Sequence, residues 1–293
     1  MSDRSHLSPS AEKMEIEAVK FDSVHPEGHL RRDVVISESP LSIQVDGVNY
    51  TLLRTPGNDR ELVVGFLFTE GLIGNIVDIM LLSECPDTPD AIMVKTSAPS
   101  DNPQRTLVMT SSCGLCGRED IEALIRSLAR IESDCRISLE QIHRVQAAIR
   151  DSQPLFRATG SAHAAALIKP DGAIACVKED VGRHNAMDKL IGYAMLNQIS
   201  MDATSVFLSG RTSIEMIIKA GRARIPILLA VGAPTNAAVE AADRFGITLC
   251  GFVRDDGLSV YTHGWRIVTS DGKQIKRMEV SHVSNEHCPE TKR

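Results

Sequence analysis

Residues 205–245 read SVFLSGRTSIEMIIKAGRARIPILLAVGAPTNAAVEAADRF, and this stretch decides the fold class. Ser205 to Leu208 is a short apolar run closed by Ser209-Gly210, and Ile214 to Ala223 then carries apolar residues at helical spacing. The pattern repeats. Ile227 to Val231 is strand-like and closed by Gly232, and Thr235 to Phe245 is a second helix. Strand, turn and helix in alternation is α/β order, in which successive strands pair in parallel.

Working outward, Thr248 to Val253 supplies a further strand, and a helix over Ala186 to Leu196 precedes the quoted stretch. Before that helix, strands Ala162 to Ile168 and Ile174 to Val177 flank a hairpin at Pro170-Asp171-Gly172. The sum is an α/β domain with a mostly parallel sheet. Upstream of Ser152 the texture is α+β. Leu41 to Val45 and Val48 to Leu53 flank Asp46-Gly47, a two-residue turn suited to type I′ geometry. Met14 to Phe21 begins with alternating apolar and charged residues, as a half-buried strand does. Asn58 or Asp59 is expected to cap a helix through Leu62, Val63, Phe66 and Leu67, with Glu61 as capping-box partner and Gly71 as terminator. Ile92 to Thr96 and Thr106 to Met109 read as strands, and Ser138 with Gln141 as a capping box. The organisation expected is a disordered tail over 1–13, an α+β portion over 14–151, an α/β portion over 152–270 and a C-terminal tail over 271–293.

Composition excludes several classes. Of 293 residues, 43% are hydrophobic and 24% charged, with 20 Gly and 13 Pro, which is ordinary for a globular chain and unlike collagen, coiled coil or wholesale disorder. No apolar run reaches the roughly 20 residues that cross a bilayer. The first fifteen residues hold no apolar signal core, so a cytoplasmic location and no membrane association are expected. Net charge is −6, which gives no global pull toward nucleic acid, so any anion site must be local. The single Trp265 and three tyrosines offer little for stacking on nucleic-acid bases.

Of seven cysteines only Cys113 and Cys116 are paired in sequence, in Thr110-Ser-Ser-Cys113-Gly-Leu-Cys116-Gly117. The pair reads as a strand-to-helix turn before Ile121, Leu124, Ile125 and Leu128. A helix start favours the thiolate, the nucleophilic form, so redox or sulfur chemistry is the first reading. Half of a zinc site is the second, although no second pair exists and His143, His163 and His184 are scattered; no metal site is assigned. The zinc deaminase signature fails, because His163-Ala164-Ala165 lacks the glutamate and follows the cysteines instead of preceding them.

Lys178-Glu-Asp-Val-Gly182-Arg183-His184-Asn185 follows a strand and opens a helix, where amide groups and a cation suit an anion, and Asp180 is placed to orient His184. Ser209-Gly210-Arg211-Thr212-Ser213 and Val231-Gly232-Ala233-Pro234-Thr235-Asn236 repeat the arrangement. Singly, each is equally well a capped helix start with surface charges. Three at the carboxyl ends of strands favour a phosphate or dinucleotide crevice. Gly251-Phe252-Val253-Arg254-Asp255-Asp256-Gly257 closes the last strand either as an ordinary hairpin or as a reader of a nucleobase. Neither of the common glycine-rich nucleotide signatures occurs.

From about Asp33 to Thr262 the chain resembles the FdhD/NarQ family of formate dehydrogenase accessory proteins. The segments that carry the resemblance are Thr69-Glu70-Gly71-Leu72-Ile73, Ser111 to Gly117, Glu179 to Asn185 with Asp188-Lys189-Leu190, Ser209-Gly-Arg211, Ala233-Pro-Thr235 and Gly251 to Arg254. Thr159-Gly160-Ser161-Ala162-His163-Ala164-Ala165 departs from the family's usual pattern by a serine for a glycine. The resemblance implies a cytidine-deaminase-like α/β domain, a plausible homodimer, and a carrier that moves persulfide sulfur from a cysteine desulfurase to a molybdenum or tungsten bis-pterin guanine dinucleotide destined for formate dehydrogenase. It puts the persulfide on Cys113, with Cys116 assisting, and the cofactor against Phe252, Val253, Arg254, Asp255, Asp256 and Gly257. The expected site adds Arg183, His184, Arg211 and Thr235, and guanine nucleotides such as GDP or GTP should act as partial mimics of the cofactor. A thiol-redox protein, or a zinc-stabilised cofactor chaperone that transfers no sulfur, is the alternative.

Overall fold

The computed structural model describes residues 11–85, 88, 90–97, 128–269 and 273. Strands β1 (Lys13–Lys20) and β2 (His29–Ile36) pair antiparallel as a two-stranded ribbon. The first strand thus begins at the last residue of the expected N-terminal tail.

β3 (Ser39–Val45) and β4 (Val48–Arg54) form the expected hairpin, and Asp46 and Gly47 take the positive φ values, 48° and 89°, that its turn demands. Helix α1 (Asp59–Thr69) follows, then β5 (Ile79–Glu84) and β6 (Ala91–Thr96), which complete a sheet of order β4-β3-β6-β5. Leu41, Ile43 and Leu52 from this sheet meet Leu62, Phe66 and Leu67 from α1. The expected capping box at α1 is absent: Asn58 sits at φ 57° with no side-chain cap bond. Its Oδ1 and Glu61 Oε1 instead accept from Lys178 Nζ, at 3.4 and 3.0 Å.

β7 (Ile137–Ser138) leads into α2 (Leu139–Asp151), where Ser138 and Gln141 do form the reciprocal capping box. The short α3 (Pro154–Thr159) precedes β8 (His163–Ile168) and β9 (Ile174–Asp180), which pair antiparallel. Helix α4 (Arg183–Leu196), β10 (Ser205–Leu208), α5 (Ile214–Arg222), β11 (Ile227–Ala230), α6 (Asn236–Phe245) and β12 (Thr248–Arg254) then alternate, as the quoted stretch requires. β13 (Gly257–Thr262) returns antiparallel to β12, and β14 (Ile267–Val268) pairs with β7.

The six-stranded sheet has the order β13-β12-β11-β10-β8-β9. Its parallel run is β10-β11-β12, flanked by antiparallel pairings. Alternate strand residues face opposite layers. Leu167, Leu208 and Leu228 meet α4, α5 and α6, whereas Ala166, Phe207 and Leu229 meet Ile142, Val145 and Ile149 of α2. Helix α2, which lies upstream of Ser152, therefore covers this sheet.

Helices α1 and α4 join the two sheets. A Cβ on Gly65 would lie 1.9 Å from the Asp188 carbonyl oxygen, and one on Gly192 would lie 1.8 Å from that of Glu61. Two glycines let the backbones meet. Buried charges flank this crossing: Lys219 Nζ is 2.9 Å from the Asp188 carboxylate and donates to Thr69 Oγ1, and Lys189 Nζ is 2.8 Å from Asp180. Lys219 is held charged, its proton favoured by the Asp188 carboxylate against the cost of burial.

Candidate functional site

Because β9 and β10 both run antiparallel to β8, strands β9, β10, β11 and β12 all end at one sheet edge, where β8 begins with His163. Three helices start there. Gly182 is the N-cap of α4, Ser213 that of α5, and Thr235 caps α6 by accepting the Ala238 amide at 3.2 Å. Their unpaired amides and positive dipole ends give a local anion attraction that net charge does not reveal.

The turns are laced together. Gly232 N donates to Gly210 O, Thr212 N to Ala233 O and Phe252 N to Gly232 O. A Cβ on Gly232 would come within 2.7 Å of Arg211 N, so glycine alone permits this approach. A Cβ on Gly210 would contact His163 Nδ1 at 3.3 Å and Arg183 Cδ at 3.8 Å, which brings those residues to one place. Arg183 Nε and Thr212 Oγ1 are buried polar atoms with no hydrogen-bond partner among the described residues.

His184 is oriented by Glu215, at 3.4 Å, and not by Asp180 as expected. Ser213 Oγ also donates to that Glu215 oxygen, at 2.6 Å. The His184 contact foremost, together with Ser213 and the nearby Arg183 charge, holds the Glu215 carboxyl down at about 2 against the effect of burial. Asp180 is used elsewhere: it accepts from the amides of Thr55 and Gly182 and from Asn185 Nδ2, besides pairing with Lys189.

Phe252 is exposed and has φ 53° in an irregular stretch of β12, an uncommon backbone for a bulky residue. Arg254 pairs with Gly257 at the tip of the β12–β13 hairpin. Asp255 accepts from Arg150 Nη2 at 2.9 Å, and Asp256 is exposed. Val253 differs from its neighbours, since its side chain is buried in the core beside α2. Arg211 and Thr235 are exposed at the crevice. Cys113 and Cys116, with the expected strand over 106–109 and most of the helix after the cysteines, lie outside the described residues.

A cavity of about 460 Å³ opens on the α2 and α3 side of this edge, lined by Gln146, Arg150, Phe156, His163, Ser209 and Val231. Gln146, Arg150 and Phe156 belong to no quoted motif, whereas Ser209 and Val231 open two of the three turns. His163 lies in a quoted segment, but its role at the edge depends on pairing β8 between β9 and β10. Burial first, and the Arg183 charge next, lower its pKa below the ordinary histidine value.

A family model described as the FdhD/NarQ family matches residues 36–268. The chain belongs to the FdhD/NarQ family. A sulfur carrier protein FdhD from Mycolicibacterium paratuberculosis is 38% identical over 253 residues, covering 81% of this chain and 93% of that protein. Another, from Sulfurisphaera tokodaii, is 36% identical over 261 residues, covering 87% of this chain and all of its own length. The crystal structure of a candidate formate dehydrogenase accessory protein from Desulfotalea psychrophila superposes with a TM-score of 0.73 at 25% identity, covering 88% of this chain and 100% of that one. The segments that carry the FdhD/NarQ resemblance fall into two physical groups. Thr69, Asp180, Asn185, Asp188 and Lys189 tie the two sheets together, while Arg183, Arg211, Phe252 and Arg254 stand at the open edge.

Proposed function

We propose that this protein is a cytoplasmic sulfur carrier that serves formate dehydrogenase. Membership of a family whose relatives bear the name sulfur carrier is the observation that carries the proposal. Cys113 takes sulfur from a cysteine desulfurase persulfide: its thiolate attacks the outer sulfur, a new S–S bond forms, and the desulfurase cysteine leaves as thiolate. Attack by Cys116 on the Cys113 sulfur then forms a Cys113–Cys116 disulfide and expels hydrosulfide. The dithiol is thereby oxidised by two electrons, and an external dithiol reductant resets it. The receiving substrate is a molybdenum or tungsten bis-pterin guanine dinucleotide, whose phosphates suit the three helix starts and the cations Arg183 and Arg211. Phe252 offers a ring face to a guanine, and Arg183 Nε and Thr212 Oγ1 are polar atoms that a ligand can satisfy.

The test is labelled sulfur transfer from a desulfurase to the purified protein, read by mass spectrometry of the cysteine peptides. Cys113→Ala should lose the added sulfur and fail to support dehydrogenase maturation. Full retention of both would remove Cys113 from the role. Bound zinc with no sulfur uptake would point instead to a metal-stabilised chaperone, and dithiol cycling without uptake to a redox protein.

A further inference from the structure

The ribbon of β1 and β2 lies, but for Ile36, before the residues that the family model matches, and the connection between its strands brings together three metal-ligating side chains. We propose that Asp22, His25 and His29 form a site for a divalent ion of the zinc, cobalt and nickel class. Their ligand atoms all lie within 4.8 Å of one another. His25 Nδ1 is 3.4 Å from Asp22 Oδ1, and the two imidazole rings have centroids 4.7 Å apart at 58°. His29 Nδ1 is buried and has no hydrogen-bond partner among the described residues, which a metal bond would supply.

The local sequence explains the convergence. Asp22 Oδ1 accepts from the amides of Val24 and His25, at 3.0 and 2.9 Å, which folds the chain back over the carboxylate. Gly28, at φ 84°, reverses the chain again and places His29 opposite Lys20 in the ribbon. A Cβ there would lie 2.7 Å from the Phe21 ring, so a side chain would hold the loop open. Two imidazoles and one carboxylate favour borderline ions over calcium and magnesium, which prefer all-oxygen shells. Three protein ligands leave a fourth position for water. Lys20 Nζ, 3.7 Å from Asp22 Oδ2, is the cation that the ion must displace.

Cobalt(II) titration of the tag-free, full-length protein tests the site once the cysteine pair has been removed as a competitor. The Cys113→Ala/Cys116→Ala variant should bind one equivalent with visible absorption and no thiolate charge-transfer band. Adding His25→Ala and His29→Ala should weaken binding by more than about 100-fold, beyond the loss expected from an outer-shell partner. The melting temperature should not move, because no residue from 11 to 36 is buried. Absence of binding in the cysteine variant, a thiolate band there, or undiminished binding after the histidine changes would each overturn the proposal. Sulfur transfer by the otherwise unaltered protein should be unaffected by His25→Ala and His29→Ala, so this test stands apart from that of the carrier function.

Discussion

At His163 two local effects act in the same direction. Partial burial and the Arg183 guanidinium both disfavour the imidazolium, so the ring at the crevice is neutral at neutral pH. As pH falls the unfolded chain takes up this proton first. The residue's contribution to stability is therefore intact above about 6.5, the ordinary histidine value, and is lost as pH drops toward the lowered folded value. An NMR titration should place the His163 midpoint below 6.5, and Arg183→Ala should raise it without restoring the ordinary value, since burial remains. A midpoint at or above 6.5 in the native protein would contradict this account. Such a neutral ring keeps a nitrogen lone pair available beside the helix-start amides and the Arg183 guanidinium.

Among the elements, the crossing of α1 and α4 is the most constrained. Gly65→Ala should destabilise the protein by about 1 to 3 kcal/mol or more, because its methyl would meet a backbone oxygen that no rotamer change can move. Denaturant melts check this, with Gly74→Ala as a control, since a Cβ there would touch only the end of the Asp78 side chain. Lys219→Met should cost about 3 to 5 kcal/mol by leaving Asp188 buried and unpaired. Pairing it with Asp188→Leu should recover much of that loss, measured the same way. These contacts were hidden in the sequence, whereas the strands and helices from β8 to β12 were legible because each apolar run has a clear period and a glycine or charged boundary. The capping box expected at Asn58 and Glu61 failed for a related reason: local spacing cannot show that Lys178, more than a hundred residues away, recruits both side chains. The meeting of the three turns at one edge was legible because similar turns end successive strands. The cavity beside it was not, since its lining comes from α2, α3, β8, β10 and the turns after β10 and β11.

Across the whole molecule, every candidate anion turn lies after residue 178, while the cysteine pair is at 113 and 116. Sulfur receipt and cofactor binding should therefore separate by mutation. Cys113→Ala should bind GDP in titration calorimetry like the unaltered protein, and Arg254→Ala should still accept sulfur from the desulfurase while binding GDP more weakly. Loss of nucleotide binding in the cysteine variant, with circular dichroism and melting unchanged, would make the two sites one. The junction between the sheets bears on a different property. Pulling α1 away from α4 would open the buried pairs Asp180–Lys189 and Asp188–Lys219 to water and strip them of their bonds to Thr55 and Thr69, besides baring the backbone at Gly65 and Gly192. Partial unfolding along that seam is consequently disfavoured, which favours the two sheets unfolding together over their parting as two modules on a hinge.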